Sequence, residues 1–461
     1  MSSTVITTQA PARTSGLVLS KSQAIPWHLW SCITASACIM GGLYWDISWH
    51  QTIGRDTFWT PAHLLIQFAA ILTAASSSLL IFGTTFGRDQ AAKRASVNVL
   101  GFRGPLGAFI CAWGGAAMLI SAPFDNWWHD AYGLDVKIIS PPHMVLALGI
   151  AGILWGGAIL ILGEMNRADG RLRQRLEMML LISGGLLVTL DMILKLHDTS
   201  RTVMHTAYPY MVAAIGLPLW LEAIARASGR RWARTTMVAV YTVGFMLLVW
   251  IVPLFPGEPK LGPVYQRVTH MLPLYFPLLI IVPAFALDLL WPKIKNLDLG
   301  GSGRKYFKIW ALPLFFPLLI IFPAIVLDLH WPKMKNLDLG GTGRKYFKIW
   351  ALPRRLEFEW GKWLQSVLAG IAFVVVLMAV QWPFADFLMS PASRNWMFGT
   401  HYLYYGMPPT AHEVRYEFVR FFPLEATTLA FFRNLGLAFV AAIFSTRLGM
   451  TWGNWMREVR R

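Results

Sequence analysis

The chain has 461 residues, 55% of them hydrophobic and 14% charged. A positive mean hydropathy over that length excludes a single water-soluble core. The net charge of +17, from 41 Lys and Arg against 24 Asp and Glu, invites a nucleic-acid reading. The distribution of the basic residues explains the charge without such a partner, as follows.

Residues 1–25 are rich in Ser and Thr, carry Arg13 and Lys21, and hold no apolar run of their own, which predicts a cytoplasmic tail rather than a cleavable signal. Apolar runs of roughly 20 residues follow at 26–45, 62–83, 104–122, 142–163, 177–196, 203–224, 235–255, 272–291, 312–331, 363–383 and 425–446. At helical rise each matches the hydrocarbon thickness of a bilayer. The pattern predicts an all-α, polytopic integral membrane protein of about ten or eleven transmembrane helices arranged as helical-hairpin repeats. Hairpins are expected at 26–83 and 102–164, with further ones over 175–256 and C-terminal helices over 360–461. Cys32, Cys38 and Cys111 all fall inside predicted spans, form no CxxC pair, and read as small packing residues.

The links 84–103, 164–176 and 225–234 hold four Lys or Arg each, whereas 46–61, 123–141 and 197–204 hold one each and 256–269 holds two. The positive-inside rule therefore predicts a multi-pass protein of the cell (inner) membrane with its N-terminus and basic links in the cytoplasm. The sparse links then face outward, and they carry the ionisable residues suited to chemistry.

The first is WDISWHQTIGRDTFWTPAH, residues 45–63, and the second is FDNWWHDAYGLDVKIISPPH, residues 124–143. In both, an Asp near the outer end of one helix precedes a His by four residues, and the next helix opens with a Pro-x-His element. The sets are Asp46, His50 and His63, spaced D-x3-H-x12-H, and Asp125, His129 and His143, spaced D-x3-H-x13-H. Residues i and i+4 share a helical face, so each Asp–His pair is half a site. The third imidazole arrives from the start of the next helix. Two neutral nitrogens and one anionic oxygen suit a divalent metal and leave coordination positions open. Trp27, Trp45, Trp49, Trp127 and Trp128 read as an interfacial aromatic belt.

Weaker echoes follow at Asp191, His197, Asp198 and His205, and at His270. The link 384–424 carries Asp386, His401 and His412 among aromatic residues and is expected to cap the outer face. Residues 272–311 and 312–351 form a tandem repeat in which 33 of 40 positions agree. Two copies do not make a solenoid. Their GGSGRK and GGTGRK pieces lack phosphate-loop spacing and read as basic links. With prolines at 273, 277 and 283 and again at 313, 317 and 323, one copy is expected to be re-entrant or surface-lying, so that ten true spans keep both termini inside.

The first segment resembles the C subunit of the copper-containing membrane monooxygenases, the particulate methane and ammonia monooxygenase family. The likeness rests on Asp46, Ser48, Trp49, His50, Gln51, Arg55, Asp56, Thr57, Thr60, Pro61 and His63. It implies that Asp46, His50 and His63 ligate membrane copper. The second segment resembles the other copper motif of that subunit, with Asp125, His129 and His143 in the ligand positions. Asp125 stands where the family has Asn, which favours a harder or more oxidised metal and admits another divalent ion there. The similarity spans about residues 26–165. It also implies further monooxygenase-type subunits as partners, because nothing in this chain resembles the family's soluble copper-binding domain.

The expected function is a copper-binding oxidoreductase acting on O2 and a small apolar substrate, with Arg55 and Asp56 orienting imidazoles from behind. The rival expectation is a copper carrier, sensor or insertion factor without turnover. A secondary transporter is a third, although its site belongs near the midplane and these ligands lie at helix ends.

Overall fold

The computed structural model describes residues 24–133, 140–196, 198–262, 264, 268–295, 360–400, 402 and 427–460. It is an all-α, polytopic membrane protein. Among the described residues, eight helices are long and apolar enough to cross a membrane. They are α2 (Pro61–Phe86), α4 (Leu106–Tyr132), α5 (Pro141–Met165), α6 (Gly170–Lys195), α8 (Tyr208–Ser228), α9 (Ala233–Ile251), α11 (Trp360–Leu388) and α12 (Thr428–Met456). α1 (Trp27–Thr52) matches them in length, with 26 residues, but its Trp, His and Asp side chains make it less apolar. α3 (Gln90–Arg94), α7 (Arg201–Met204) and α10 (Ile281–Ile294) are shorter. Large apolar residues such as Phe68, Leu79, Trp113, Val243, Val375 and Phe444 stay exposed on the long helices, as a lipid-facing surface requires.

The chain divides into two compact units. The first comprises Met1–Leu190, Val252–Leu272 and Trp455–Arg461. In it α1 packs on α2, α2 on α4, α4 on α5, and α5 back on α1, a closed ring of four helices. The links alternate ends in such an up-down arrangement, so the α1–α2 and α4–α5 links lie at one end of the bundle. Glycines let α4 and α5 approach closely: a Cβ added at Gly114 would meet the Gly149 carbonyl oxygen at 2.7 Å and the Ile153 nitrogen at 2.8 Å. Cys32 and Cys111 are buried, and Cys111 Sγ lies 3.6 Å from the Ile153 carbonyl, consistent with a packing role. A small hairpin, β1 (Val97–Val99) with β2 (Phe102–Gly104), follows α3. Its two-residue turn has positive φ at both Leu100 and Gly101, as a type I′ turn requires.

The returning segment 252–272 braces the C-terminus of α1. Lys260 Nζ donates to the carbonyls of Thr52, Gly257 and Val268 at 2.9, 2.6 and 2.8 Å. The Leu261 N–H donates to the Ile53 carbonyl at 2.9 Å, the Leu272 N–H donates to Thr52 Oγ1 at 2.9 Å, and Ser48 Oγ donates to the Leu272 carbonyl. The open carbonyls at a helix end are thus satisfied by a distant part of the chain.

The second unit comprises Asp191–Ile251 and Pro273–Asn454. Here the run 272–291 departs from the expected span. Its first residues are buried but not helical, and α10 has only 14 residues, about 21 Å at helical rise against a hydrocarbon layer of about 30 Å. Pro273, Pro277 and Pro283 explain the break, since proline removes a donor and resists continuing a helix. The exposed backbone groups find side-chain partners. Thr199 Oγ1 donates to the Phe276 carbonyl at 2.6 Å, the Leu278 N–H donates to the Tyr241 hydroxyl at 3.0 Å, and the Leu279 N–H donates to Gln381 Oε1 at 3.0 Å. Irregular backbone within a membrane protein is tolerated only when it is satisfied in this way. The second copy of the duplication, the expected span 312–331 and most of the 384–424 cap lie outside the described residues.

A buried ionic triad sits at the head of α9. Arg234 makes a two-pronged contact with Glu222 of α8, Nε and Nη2 each 2.7 Å from a carboxylate oxygen, while its Nη1 lies 3.0 Å from Asp288 of α10. Asp288 also accepts from the Thr235 N–H and hydroxyl, both at 2.8 Å, and the guanidinium stacks over Trp291, 4.6 Å from the ring centre. Arg234 therefore differs from the exposed basic link residue that its place in 225–234 suggests: it is 3% exposed.

Candidate metal centre

The first cluster forms where α1 ends and α2 begins. α1 continues through Thr52, so Asp46 and His50 occupy successive turns of one helix. Pro61 opens α2, its fixed φ suited to the first helical position, and places His63 in the first turn. The link is tied down as well: the Thr57 N–H donates to Thr60 Oγ1 at 2.9 Å, and Trp49 Nε1 donates to the Arg55 carbonyl at 3.3 Å.

These elements bring four donor groups together. His63 Nε2 lies 3.1 Å from Asp46 Oδ1 and 3.0 Å from Asp56 Oδ2. His50 Nε2 lies 3.3 Å from Asp56 Oδ2 and 3.9 Å from Asp46 Oδ1. One donor atom each from Asp46, His50 and Asp56 falls within 4.8 Å of the others. Metal–ligand bonds of roughly 2.0–2.2 Å set neighbouring donors about 3.3–3.6 Å apart around a tetrahedral ion, and the observed separations bracket that value.

The hydrogen bonds behind the cluster specify its chemistry. His63 Nδ1 lies 2.9 Å from the Thr57 carbonyl. A carbonyl only accepts, so Nδ1 carries the hydrogen and Nε2 of the neutral ring presents its lone pair to two carboxylates. Only a proton or a metal cation makes that arrangement favourable. Asp46 Oδ1 is buried and accepts no hydrogen bond, although His63 Nε2 is so near. Burial alone raises the Asp56 carboxyl, but hydrogen bonds and charge from His50 and His63 outweigh this and hold it well below the usual carboxylate range, as expected of a set in which the Nε2 positions carry protons, the place a metal cation would take. The donor set thus fits a cation.

The second cluster repeats the plan more loosely. Asp125 and His129 end α4, and Pro141 opens α5 with His143 in its first turn. Asp125 Oδ2 is 3.4 Å from His129 Nε2, and Asp125 Oδ1 is 3.8 Å from His143 Nε2. Asp125 Oδ1 is again buried and accepts no hydrogen bond. His129 Nδ1 donates to the Gly133 carbonyl at 3.2 Å, as His63 does to Thr57, whereas His143 Nδ1 lies 3.0 Å from Ser140 Oγ, a hydroxyl that can donate or accept. Residues 134–139 of the link lie outside the described residues.

Asp46 lies beside both His50 and His63, and Asp125 lies beside both His129 and His143, but among the described residues only Asp46, His50 and Asp56 place one donor atom each within 4.8 Å of one another. The structure moves Asp56 from behind the imidazoles to the face shared with Asp46. Arg55 joins through its backbone carbonyl; among the described residues its guanidinium touches neither imidazole. The weaker echoes separate. Asp191 pairs with Lys195 one turn later, and Asp198 accepts from the Ser200 N–H at 2.8 Å. His205 Nε2 lies 3.4 Å from Asp386, which Arg201 also holds at 2.7 Å, and its ring stacks on Trp382. The backbone of His270 pairs with Pro256 in an isolated antiparallel bridge. His197, His401 and His412 lie outside the described residues.

Fold and site together define a polytopic α-helical membrane protein with paired Asp–His clusters at one end of a four-helix ring. No family model matches the chain, no curated protein matches it, and no solved structure matches it.

Proposed function

We propose that the protein is a copper-binding membrane protein whose two clusters are the metal centres of an O2-dependent, monooxygenase-like oxidoreductase, or of the metal-bearing subunit of one, acting on a small apolar substrate. The observation that carries this reading is the convergence of His50 and His63 Nε2 on Asp46 Oδ1, a buried oxygen that accepts no hydrogen bond, with His63 held in the metal-binding tautomer by the Thr57 carbonyl. A bound copper ion would supply the open-shell chemistry that O2 activation needs. Asp46, His50, His63, Asp125, His129 and His143 hold the ions; Thr57, Gly133 and Ser140 orient the imidazoles. The protein belongs to the inner membrane, its N-terminus is cytoplasmic, its metal clusters lie at the outer face, and further monooxygenase-type subunits complete it.

The four side chains of the first cluster are between 21% and 48% exposed, accessible enough for an ion to enter and leave. That exposure favours a copper carrier, sensor or insertion factor as the second reading. Copper-loaded membranes supplied with a reductant, O2 and a small alkane or ammonia separate the two. The oxidoreductase reading expects hydroxylated product and matched O2 consumption, both lost in His63→Ala; copper binding with no turnover in any reconstitution assigns the carrier class.

A further inference from the structure

The first cluster contains one acidic group more than the motif needs. Asp56 Oδ2 is nearer to His50 Nε2 than Asp46 is, 3.3 against 3.9 Å, and it touches His63 Nε2 at 3.0 Å. This position is built by the fold. Leu261 and Lys260 grip the carbonyls of Ile53 and Thr52, Trp49 grips that of Arg55, and Thr60 receives the Thr57 N–H. Gly54, at φ 97°, lets the link turn against Gly262, where a Cβ would come within 3.0 Å of Gly262 Cα. With the backbone fixed on both sides of it, the Asp56 carboxylate is preorganised on the open side of the two imidazoles.

We propose that Asp56 is a direct fourth ligand, making the first centre a two-imidazole, two-carboxylate site selective for divalent over monovalent metal. This rests on the metal reading above. Two ionised carboxylates and two neutral imidazoles carry two negative charges, so a divalent ion neutralises the set and a monovalent ion leaves one charge uncompensated. Near a low-dielectric membrane boundary that difference is costly. Anionic oxygen also favours the harder, more oxidised ion over Cu(I).

The test uses the full-length protein in detergent or nanodiscs with His129→Ala and His143→Ala, leaving only the first centre. Cu(II), Zn(II) and Cu(I) affinities are measured by chelator competition for this background and for Asp56→Asn and Asp56→Glu in it. Asp56→Asn should weaken Cu(II) and Zn(II) binding by at least about tenfold while changing Cu(I) binding far less, and Asp56→Glu should recover much of the loss. Unchanged Cu(II) and Zn(II) affinities in Asp56→Asn overturn the assignment, provided His63→Ala weakens binding. Retention of metal by His63→Ala at the affinity of the background overturns instead the metal reading beneath it. A second measurement covers the case in which Asp56→Asn fails to fold. The Zn(II)-minus-apo infrared difference spectrum of Asp46→Asn should still show a metal-shifted carboxylate band; its absence also overturns the proposal.

Discussion

Replacing Arg234 by leucine should destabilise the second unit by about 3–5 kcal/mol. The guanidinium is the shared partner of Glu222 and Asp288, which are themselves 1% exposed. Removing it leaves two carboxylates without a cation in a buried site, and they must then take up protons or draw in water. Arg234→Lys should recover part of the loss, because ammonium keeps the charge but not the two-pronged fit to Glu222. Asp288 also receives the Thr235 N–H at the start of α9, so the same change loosens the helix entry. Thermal unfolding in detergent reads the effect; equal midpoints for Arg234→Leu and the parent would refute it.

The second large effect concerns geometry. Gly114→Leu should separate α4 from α5 and empty the second metal centre while sparing the first. The added side chain would begin 2.7–2.8 Å from backbone atoms of Gly149 and Ile153, and backbone cannot yield as a flexible side chain can. Asp125 and His129 ride on α4 and His143 on α5, so even a small increase in helix separation breaks the cluster. Asp46, His50, Asp56 and His63 belong to α1, α2 and their link. Metal analysis of the purified variant should show one ion lost per chain; an unchanged metal content would mean that the helix contact does not set the site.

The parts of this arrangement legible in the sequence were those with a local period. Asp46 with His50 and Asp125 with His129 stand one helical turn apart, and a proline two residues before a histidine places that histidine in a first turn, so the Asp–His pairs and the placement of His63 and His143 follow from spacing. Asp56 is expected behind the imidazoles, and its place at their Nε2 side is not legible, because it depends on how the link folds back, which is set by Lys260 and Leu261 some two hundred residues away. Glu222, Arg234 and Asp288 share no motif, and Arg234 looks like one more basic residue of a link. His205 finds Asp386 across a similar distance in sequence. The run 272–291 is apolar enough for a span; its prolines point to one irregular copy of the duplication, but not to a non-helical first half held by Thr199, Tyr241 and Gln381.

The central claim is that each Asp–His cluster holds its own metal ion. Purified protein loaded with copper, washed and assayed for metal per chain tests it directly, using the parent, His63→Ala, His143→Ala and the double variant. The account predicts two ions, then one, one and none, with the folded yield unchanged across the series. Equal metal content in all four proteins would contradict it, and would leave the clusters as ion pairs between protonated imidazoles and carboxylates.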